Sequence, residues 1–174
     1  DLENASIVLM GIDEQRGSEA RDASGFAPDA VRKAFYELYH WHEEIRIADI
    51  GNIRQGASLN DTYAAARTVI AELLDNGKTV IIIGGSHDLT LPQYEAYATR
   101  EKIIEATVID ARIDLRDQPS LRSDSFLMEM FTARPNFLRH YNHIGFQSYF
   151  VQPRLLETLD KLRFDCYRVG YVQE

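Results

Sequence analysis

Two short polar motifs contain residue types that bind metal ions or perform acid–base chemistry. Gly84-Gly85-Ser86-His87-Asp88 and Asp110-Ala111-Arg112-Ile113-Asp114 each follow an apolar run. Imidazole and carboxylate groups are common ligands of divalent transition metals. The first motif lacks the Gly-Lys-Ser/Thr of a phosphate-binding loop. A metal or catalytic site is therefore one interpretation of the two motifs, and capping or local ion pairing of their side chains is the other.

The elements before these motifs are predicted to be buried strands. Residues 79–83 (TVIII) are continuous, β-branched and followed by two glycines, which is typical of a strand buried on both faces. Residues 106–110 and 167–172 also have strand patterns, and the apolar spacing of residues 28–41 predicts a helix. Alternating strands and helices predict an α/β fold with a mostly parallel sheet and helices on both faces. Ligands of such sheets bind beyond the carboxyl ends of the strands, where both motifs lie.

The second motif places several charges after an apolar strand. If the extended geometry continues, Asp110, Arg112 and Asp114 project to one side, and the two carboxylates can share a cation. Asp117 adds a further negative charge. Burial gives no reason for so much charge at this point.

Composition limits the possible partners and compartments. The 174 residues suit one domain, 1–174, and carry a net charge of −8 from 19 Lys+Arg and 27 Asp+Glu. An acidic surface argues against nucleic acid and anionic membranes as partners. The sequence has no apolar stretch of about 20 residues, no basic signal-peptide start, and one cysteine, Cys166, which cannot form an intrachain disulfide. We therefore expect a cytoplasmic protein.

The two motifs resemble those of the ureohydrolases, the family of arginase, agmatinase and formimidoylglutamase. Residues 84–88 resemble the family's Gly-Gly-Asp-His-Ser, and residues 110–114 resemble its Asp-Ala-His-x-Asp. Residues 26–39 resemble the segment in which Gly/Ala-Pro-x-x-Ile-Arg opens a helix, and residues 48–52 resemble an Asp-x-Gly-Asp turn. The resemblance thus covers most of the chain. Residues 121–131 look most like formimidoylglutamase-type members.

The resemblance implies a three-layer arginase-like fold and a centre of two manganese ions. In that family a bridging hydroxide attacks a guanidino or formimino carbon of a small substrate, and a C–N bond breaks. His87, Asp110 and Asp114 match metal ligands, and the two aspartates are also the predicted catalytic residues. Ser123 and Ser125 lie where relatives orient substrate, although helix capping explains them equally well. Relatives are commonly oligomeric, so a homo-oligomer is possible.

Two departures from the family pattern change this expectation. Arg112 stands where the family has a histidine ligand of the second metal, and a guanidinium has no lone pair to donate. We hypothesise that Arg112 partly replaces the second cation and pairs with Asp110 or Asp114, which leaves one manganese ion or none. The family's later Ser-x-Asp-x-Asp-x-x-Asp-Pro motif is absent. Its absence predicts that the C-terminal part of the fold is missing, through truncation or, less favoured, a reduced fold.

Three functions are compatible with these observations. The first is a metal-dependent hydrolase of C–N bonds in guanidino or formimino compounds, of the formimidoylglutamase or agmatinase kind. The second is a catalytically reduced family member that acts as a binding or scaffold protein. The third, least favoured, is an unrelated doubly wound domain that binds a phosphorylated ligand. The resemblance favours an enzyme at the family level, whereas the departures put the activity of these 174 residues alone in doubt.

Overall fold

Parallel strands alternate with helices along the chain. The computed structural model describes residues 2–18, 27–116 and 122–172. The strands are β1 (Ile7–Ile12), β2 (Ile47–Ile53), β3 (Thr79–Ile83), β4 (Ile104–Ile109), β5 (Leu138–Phe146) and β6 (Asp165–Arg168). The helices are α1 (Ala27–Phe35), α2 (Leu59–Asp75), α3 (Thr90–Ala98), α4 (Phe126–Thr132), α5 (Pro153–Lys161) and α6 (Val169–Val172). Short 3-10 turns lie at His87–Leu89, Arg122–Asp124 and Ser148–Phe150.

The strands form two parallel sheets, one in the order β2-β1-β3 and the other in the order β4-β5-β6. The predicted α/β class, with parallel sheets flanked by helices, is confirmed. The division into two sheets was not predicted. It makes β3 and β4 edge strands of different sheets, and the two polar motifs follow these two strands.

The core is built from the apolar faces that the sequence pattern marks. Val8, Met10 and Ile12 of β1 are fully buried, and they belong to one hydrophobic cluster with Ala66 and Ile70 of α2. Helix α2 begins at a capping box, in which Ser58 and Asp61 satisfy each other's backbone N–H groups. This helix packs against β2, β3 and α3, so the first sheet and its loops share one core.

Three predicted elements differ from the structure. The helix predicted over residues 28–41 ends at Phe35, because the aromatic residues that follow are exposed and give a further turn no core contact. The strand predicted over residues 167–172 ends at Arg168 and continues as α6. Strand β3 is not buried on both faces, because only Val80 and Ile82 pack on the core, whereas Ile81 is 46% exposed.

Some predictions fall on residues outside the described ranges. These are the role of Asp117, the start of one matched segment at Phe26, and the start of the segment 121–131 at Leu121. Within the described ranges, no helix is long and apolar enough to cross a membrane. The assignment of residues 1–174 to a single domain stays a prediction.

Candidate metal centre

His87 is positioned by a turn that packs tightly on the loop after β1. A side chain at Gly85 would overlap the carbonyl oxygen of Glu14, so this position needs glycine. That same carbonyl accepts a hydrogen bond from the backbone N–H of Ser86, at 3.1 Å. His87 then opens a 3-10 turn. Packing against the Glu14 carbonyl therefore fixes the position of the turn, and the imidazole of His87 projects from it.

Asp110 and Asp114 are brought together by a turn, because β4 ends at Ile109. The expectation that a continued strand would align their side chains is wrong. The Oδ1 atom of Asp110 accepts a hydrogen bond of 2.9 Å from the backbone N–H of Arg112, which bends the chain. Ile113 and Leu115 are buried on either side of Asp114 and hold it at the centre.

The three predicted metal ligands meet in space. The Nδ1 atom of His87 lies 2.8 Å from Oδ2 of Asp114 and 3.7 Å from Oδ2 of Asp110. One ligand atom from each of the three residues lies within 4.8 Å of the other two. The side chain of His87 is 58% exposed, that of Asp110 25% and that of Asp114 13%. The centre is thus open on the histidine side and enclosed on the carboxylate side.

The two carboxylates change the protonation of His87. The hydrogen bond from His87 to Asp114 raises the pKa of the imidazole, burial opposes this effect, and the charges of Asp114 and Asp110 add to it. Without a cation, a protonated His87 partly neutralises the two carboxylates. The same electrostatic environment attracts a metal ion.

The donor atoms fit one divalent ion. Ligand atoms about 2.1 Å from an octahedral ion lie about 3 Å apart when adjacent and about 4.2 Å apart when opposite. The separations of 2.8 and 3.7 Å come close to this range. Imidazole suits many transition metals and carboxylate suits manganese. Three protein ligands leave further coordination positions for water or substrate.

Arg112 does not pair with the carboxylates, contrary to our hypothesis. Its guanidinium lies over the ring of Phe150, 5.2 Å from the centroid. Among the described residues, no carboxylate lies within ion-pair distance of it. The face of Phe150, in the turn after β5, gives the cation an alternative contact. That Arg112 replaces a ligand of a second metal stays a prediction.

The other polar residues of the first motif face the interior. Ser86 and Asp88 are buried, and Asp88 accepts a hydrogen bond from the hydroxyl of Tyr63. Burial, followed by the hydrogen bond to Asp88, raises the pKa of Tyr63, so this hydroxyl keeps its proton and acts as the donor. Oδ1 of Asp88 has no hydrogen-bond partner among the described residues. Asp88 therefore supports the turn rather than joining the three-residue cluster.

Ser123 and Ser125, the predicted substrate contacts, are also buried. The hydroxyl of Ser123 lies 3.4 Å from Oδ1 of Asp124, and that of Ser125 lies 3.5 Å from the carbonyl of Arg122. Ser125 occupies the N-cap position of α4, but its side chain makes no cap hydrogen bond. Contact with substrate stays a prediction for both serines.

Sequence reasoning missed a buried acid in the loop that contacts the His87 turn, because the backbone carbonyl of Glu14 accepts from Ser86. Glu14 is fully buried, and its carboxylate accepts hydrogen bonds from Arg16 and Thr62. Burial acts to raise the pKa of Glu14, but these hydrogen bonds outweigh it and the net pKa is lowered. Thr62 lies far along the chain, so no local pattern linked it to Glu14.

The four histidines outside the motifs have different surroundings in the structure. His143 is fully buried and hydrogen bonds to the main chain of Asp110. His40 bonds to the carbonyl of Ile45, whereas the rings of His42 and His140 lie beside the carboxylates of Glu44 and Asp165. His143 is therefore the one of these four that reaches the candidate centre.

Comparisons with known proteins agree with this geometry. A profile of the arginase family matches residues 5–174. Formimidoylglutamase of Hahella chejuensis is 27% identical over 172 residues, which are 91% of this chain and 52% of that protein. Agmatinase of Blochmanniella floridana is 29% identical over 121 residues, which are 63% of this chain and 40% of that protein.

Solved structures show the same fold. The crystal structure of Trypanosoma cruzi formiminoglutamase with Mn²⁺ matches with a TM-score of 0.82 at 16% identity, over 99% of this chain and 63% of that one. The chain thus spans about half the length of the curated relatives it matches and about three fifths of this solved structure.

Proposed function

The chain belongs to the arginase family, and on that premise we propose that it contributes a metal centre to a manganese-dependent hydrolase of C–N bonds. The substrate is a small formimino or guanidino compound. The observation that carries the proposal is the convergence of His87, Asp110 and Asp114, whose ligand atoms lie within 4.8 Å of one another. Two of the relatives named above are a formimidoylglutamase and an agmatinase.

The residues of the chain have separate parts in this proposal. A bound ion lowers the pKa of a coordinated water and stabilises the charge that develops on the substrate. His87 must lose its proton before Nδ1 can donate its lone pair. Because Oδ1 of Asp110 is held by the backbone N–H of Arg112, Oδ2 remains directed at the centre. Asp114 supplies a second carboxylate from a largely enclosed position.

The surroundings of the centre support the placement of these groups. The buried pair of Tyr63 and Asp88 holds the His87 turn from the interior. The exposed side of His87 leaves access for a small molecule. Of the expected count of one manganese ion or none, the proposal takes one ion per chain, held by the three-residue cluster. A cytoplasmic location and assembly into homo-oligomers belong to the proposal as well. The relatives named above are all hydrolases by name, so they lend no support to a scaffold role.

The proposal is tested by turnover with matched variants. The 174-residue chain is incubated with and without Mn²⁺, and the loss of formimidoylglutamate, agmatine and arginine is followed by chromatography. We expect loss of one substrate that requires Mn²⁺ and is abolished by Asp114→Asn. Glu105→Gln is the control, because the Glu105 carboxylate pairs with Arg139 near the opposite end of β4 from the cluster.

Two results would contradict the proposal. One is turnover that survives Asp114→Asn at the original rate. The other is no turnover of any of the three substrates when Mn²⁺ is shown to be bound, which would favour a binding role for this chain.

A further inference from the structure

A buried pair of side chains on β5 leads to the main chain of a candidate metal ligand. The hydroxyl oxygen of Tyr141 lies 2.7 Å from Nδ1 of His143, and Nε2 of His143 lies 2.9 Å from the carbonyl oxygen of Asp110. Both side chains have no exposed surface. Both ring nitrogens of His143 thus have a hydrogen-bond partner, and these hydrogen bonds connect Tyr141 through His143 to the main chain of Asp110.

The partners determine where the protons are. A carbonyl oxygen only accepts, so Nε2 of His143 carries the proton that it donates to Asp110. In a neutral ring Nδ1 then accepts, and the hydroxyl of Tyr141 is its donor. Both side chains are fully buried and hydrogen bond to neutral groups, and such surroundings favour the neutral form of each. The pair therefore has one hydrogen-bond direction, from Tyr141 through His143 to Asp110.

Other contacts with β5 hold the same stretch of main chain. The backbone N–H of Asp110 donates to the carbonyl of Ile144 at 3.1 Å, and the carbonyl of Ala111 accepts from Gln147 at 2.9 Å. Asp110 is therefore held at its N–H by strand pairing and at its carbonyl by His143. A carbonyl just past the end of β4 would otherwise need water or another donor.

We infer that His143, oriented by Tyr141, is a positioning residue that fixes the main chain of Asp110 and thereby directs its carboxylate toward His87. An apolar residue would fill the same buried space without a polar cost, but it would leave the Asp110 carbonyl without this donor. The effect on the turn rests on the observed hydrogen bonds alone. The effect on metal affinity rests on the proposed function.

The test compares variants that remove or retain the donor. His143→Leu removes it, His143→Gln keeps an N–H near the position of Nε2, and Tyr141→Phe removes only the group that orients the ring. His140→Leu is the matched control, because His140 lies on the same strand and bonds to Asp165 instead. Amide hydrogen exchange at Asp110 and Arg112 is measured against exchange at Ile81, and Mn²⁺ affinity is measured by electron paramagnetic resonance.

We expect His143→Leu to weaken Mn²⁺ binding by about tenfold to about a hundredfold, the usual effect of removing a group that orients a ligand. Exchange at Asp110 and Arg112 should rise more than exchange at Ile81. His143→Gln should recover most of both losses, Tyr141→Phe should give a smaller loss, and His140→Leu should resemble the parent chain.

The inference is overturned if His143→Leu leaves both measurements unchanged, or if exchange rises equally at all three amides. It is also overturned if His143→Gln is as impaired as His143→Leu. Should His143→Leu fail to fold, Tyr141→Phe decides instead, because it removes only the hydroxyl that orients the ring. Exchange at Asp110 and Mn²⁺ affinity equal to those of the parent chain in Tyr141→Phe would then overturn the inference. If the parent chain binds no Mn²⁺, the proposed function fails, whereas the exchange measurements still decide the positioning role.

Discussion

Arg112 occupies a position where the family pattern has a histidine, and its guanidinium packs on Phe150 instead of on a carboxylate. Its backbone N–H nevertheless holds Asp110, so the residue contributes to the centre through its main chain. This separation matters for mutagenesis, because the side chain can be changed while the backbone hydrogen bond remains. Only the side chain at position 112 therefore determines whether this position can supply a further metal ligand.

Arg112→His is expected to raise the amount of Mn²⁺ bound per chain. The substitution supplies an imidazole lone pair two residues from each carboxylate, and it removes a positive charge beside the centre. Metal content is measured by mass spectrometry after dialysis against Mn²⁺. Arg116→His is the control, since Arg116 pairs with Asp124 away from the cluster. Equal metal content in both variants would show that the second position is lost for another reason.

The raised pKa of His87 predicts a pH dependence of metal binding. Mn²⁺ and the proton compete for the imidazole, so affinity should increase as pH rises from about 6 to about 8. For the metal-free chain the sign is opposite. Because the folded-state pKa is raised, the ion pair stabilises the fold fully below the unfolded pKa of about 6.5, and this contribution is lost as pH rises through the raised value.

Two measurements check this prediction. Titration calorimetry gives the Mn²⁺ affinity at several pH values, and thermal unfolding follows the metal-free chain over the same range. His87→Asn should flatten both profiles relative to the parent chain. An affinity that is constant or falls with increasing pH would contradict the assignment of His87 as a ligand.

At the scale of elements, the position of His87 depends on how the loop after β1 packs against the turn after β3. Gly85 lies against the carbonyl of Glu14, and that carbonyl in turn receives the Ser86 N–H. The neighbouring Gly84 has more space for a side chain. A Cβ at Gly84 would meet side-chain atoms of Leu89, the nearest of them the terminal Cδ1 at 3.1 Å. A methyl group would therefore displace backbone at Gly85 but only a side chain at Gly84.

Gly85→Ala is expected to destabilise the chain by about 1–3 kcal/mol, the usual cost of overpacking, because the obstructing atom belongs to the backbone. Gly84→Ala should cost less, since the end of Leu89 can move. The free energy of unfolding is measured in urea for both variants. Gly85→Ala should also weaken Mn²⁺ binding, because His87 lies two residues further on. Equal stability of the two variants would contradict the packing described for this loop.

At the scale of the whole molecule, the two sheets present exposed apolar side chains on their edge strands β3 and β4. Ile109 is 80% exposed and Ile81 46% exposed, and each lies on a strand that pairs on one side only with the other strands of the described residues. Exposed edges with apolar side chains favour pairing with another chain. These strands also carry the candidate metal centre at their ends, so any association here would lie close to it.

The chain is expected to self-associate as its concentration rises, and Ile109→Lys is expected to reduce this association. A lysine places a charge on the edge and makes pairing unfavourable. Sedimentation velocity over a range of concentrations measures the effect. Tyr171→Lys is the control, because Tyr171 is 76% exposed but lies in α6. A chain that is monomeric at every concentration, or equally affected by both variants, would contradict the prediction.

The sequence by itself determined the α/β class, the position of β3 and the identity of the three residues that meet at the centre. Strand and helix periodicity and the glycines after β3 are local features, so they can be read without the fold. The family motifs predict that His87, Asp110 and Asp114 are metal ligands, and their proximity in the structure agrees with that prediction. The resemblance to the arginase family is confirmed.

Only the tertiary structure decided how those residues are supported. The structure divides the strands into two sheets, which the sequence pattern did not predict. It also brings together residues that are distant in sequence: His143 hydrogen bonds to Asp110, and Arg112 packs on Phe150. Periodicity reports which face of an element is buried, but it does not report which distant group lies opposite. The partner of a buried polar group is fixed by packing and by the need to satisfy its hydrogen bonds, and both are properties of the folded chain.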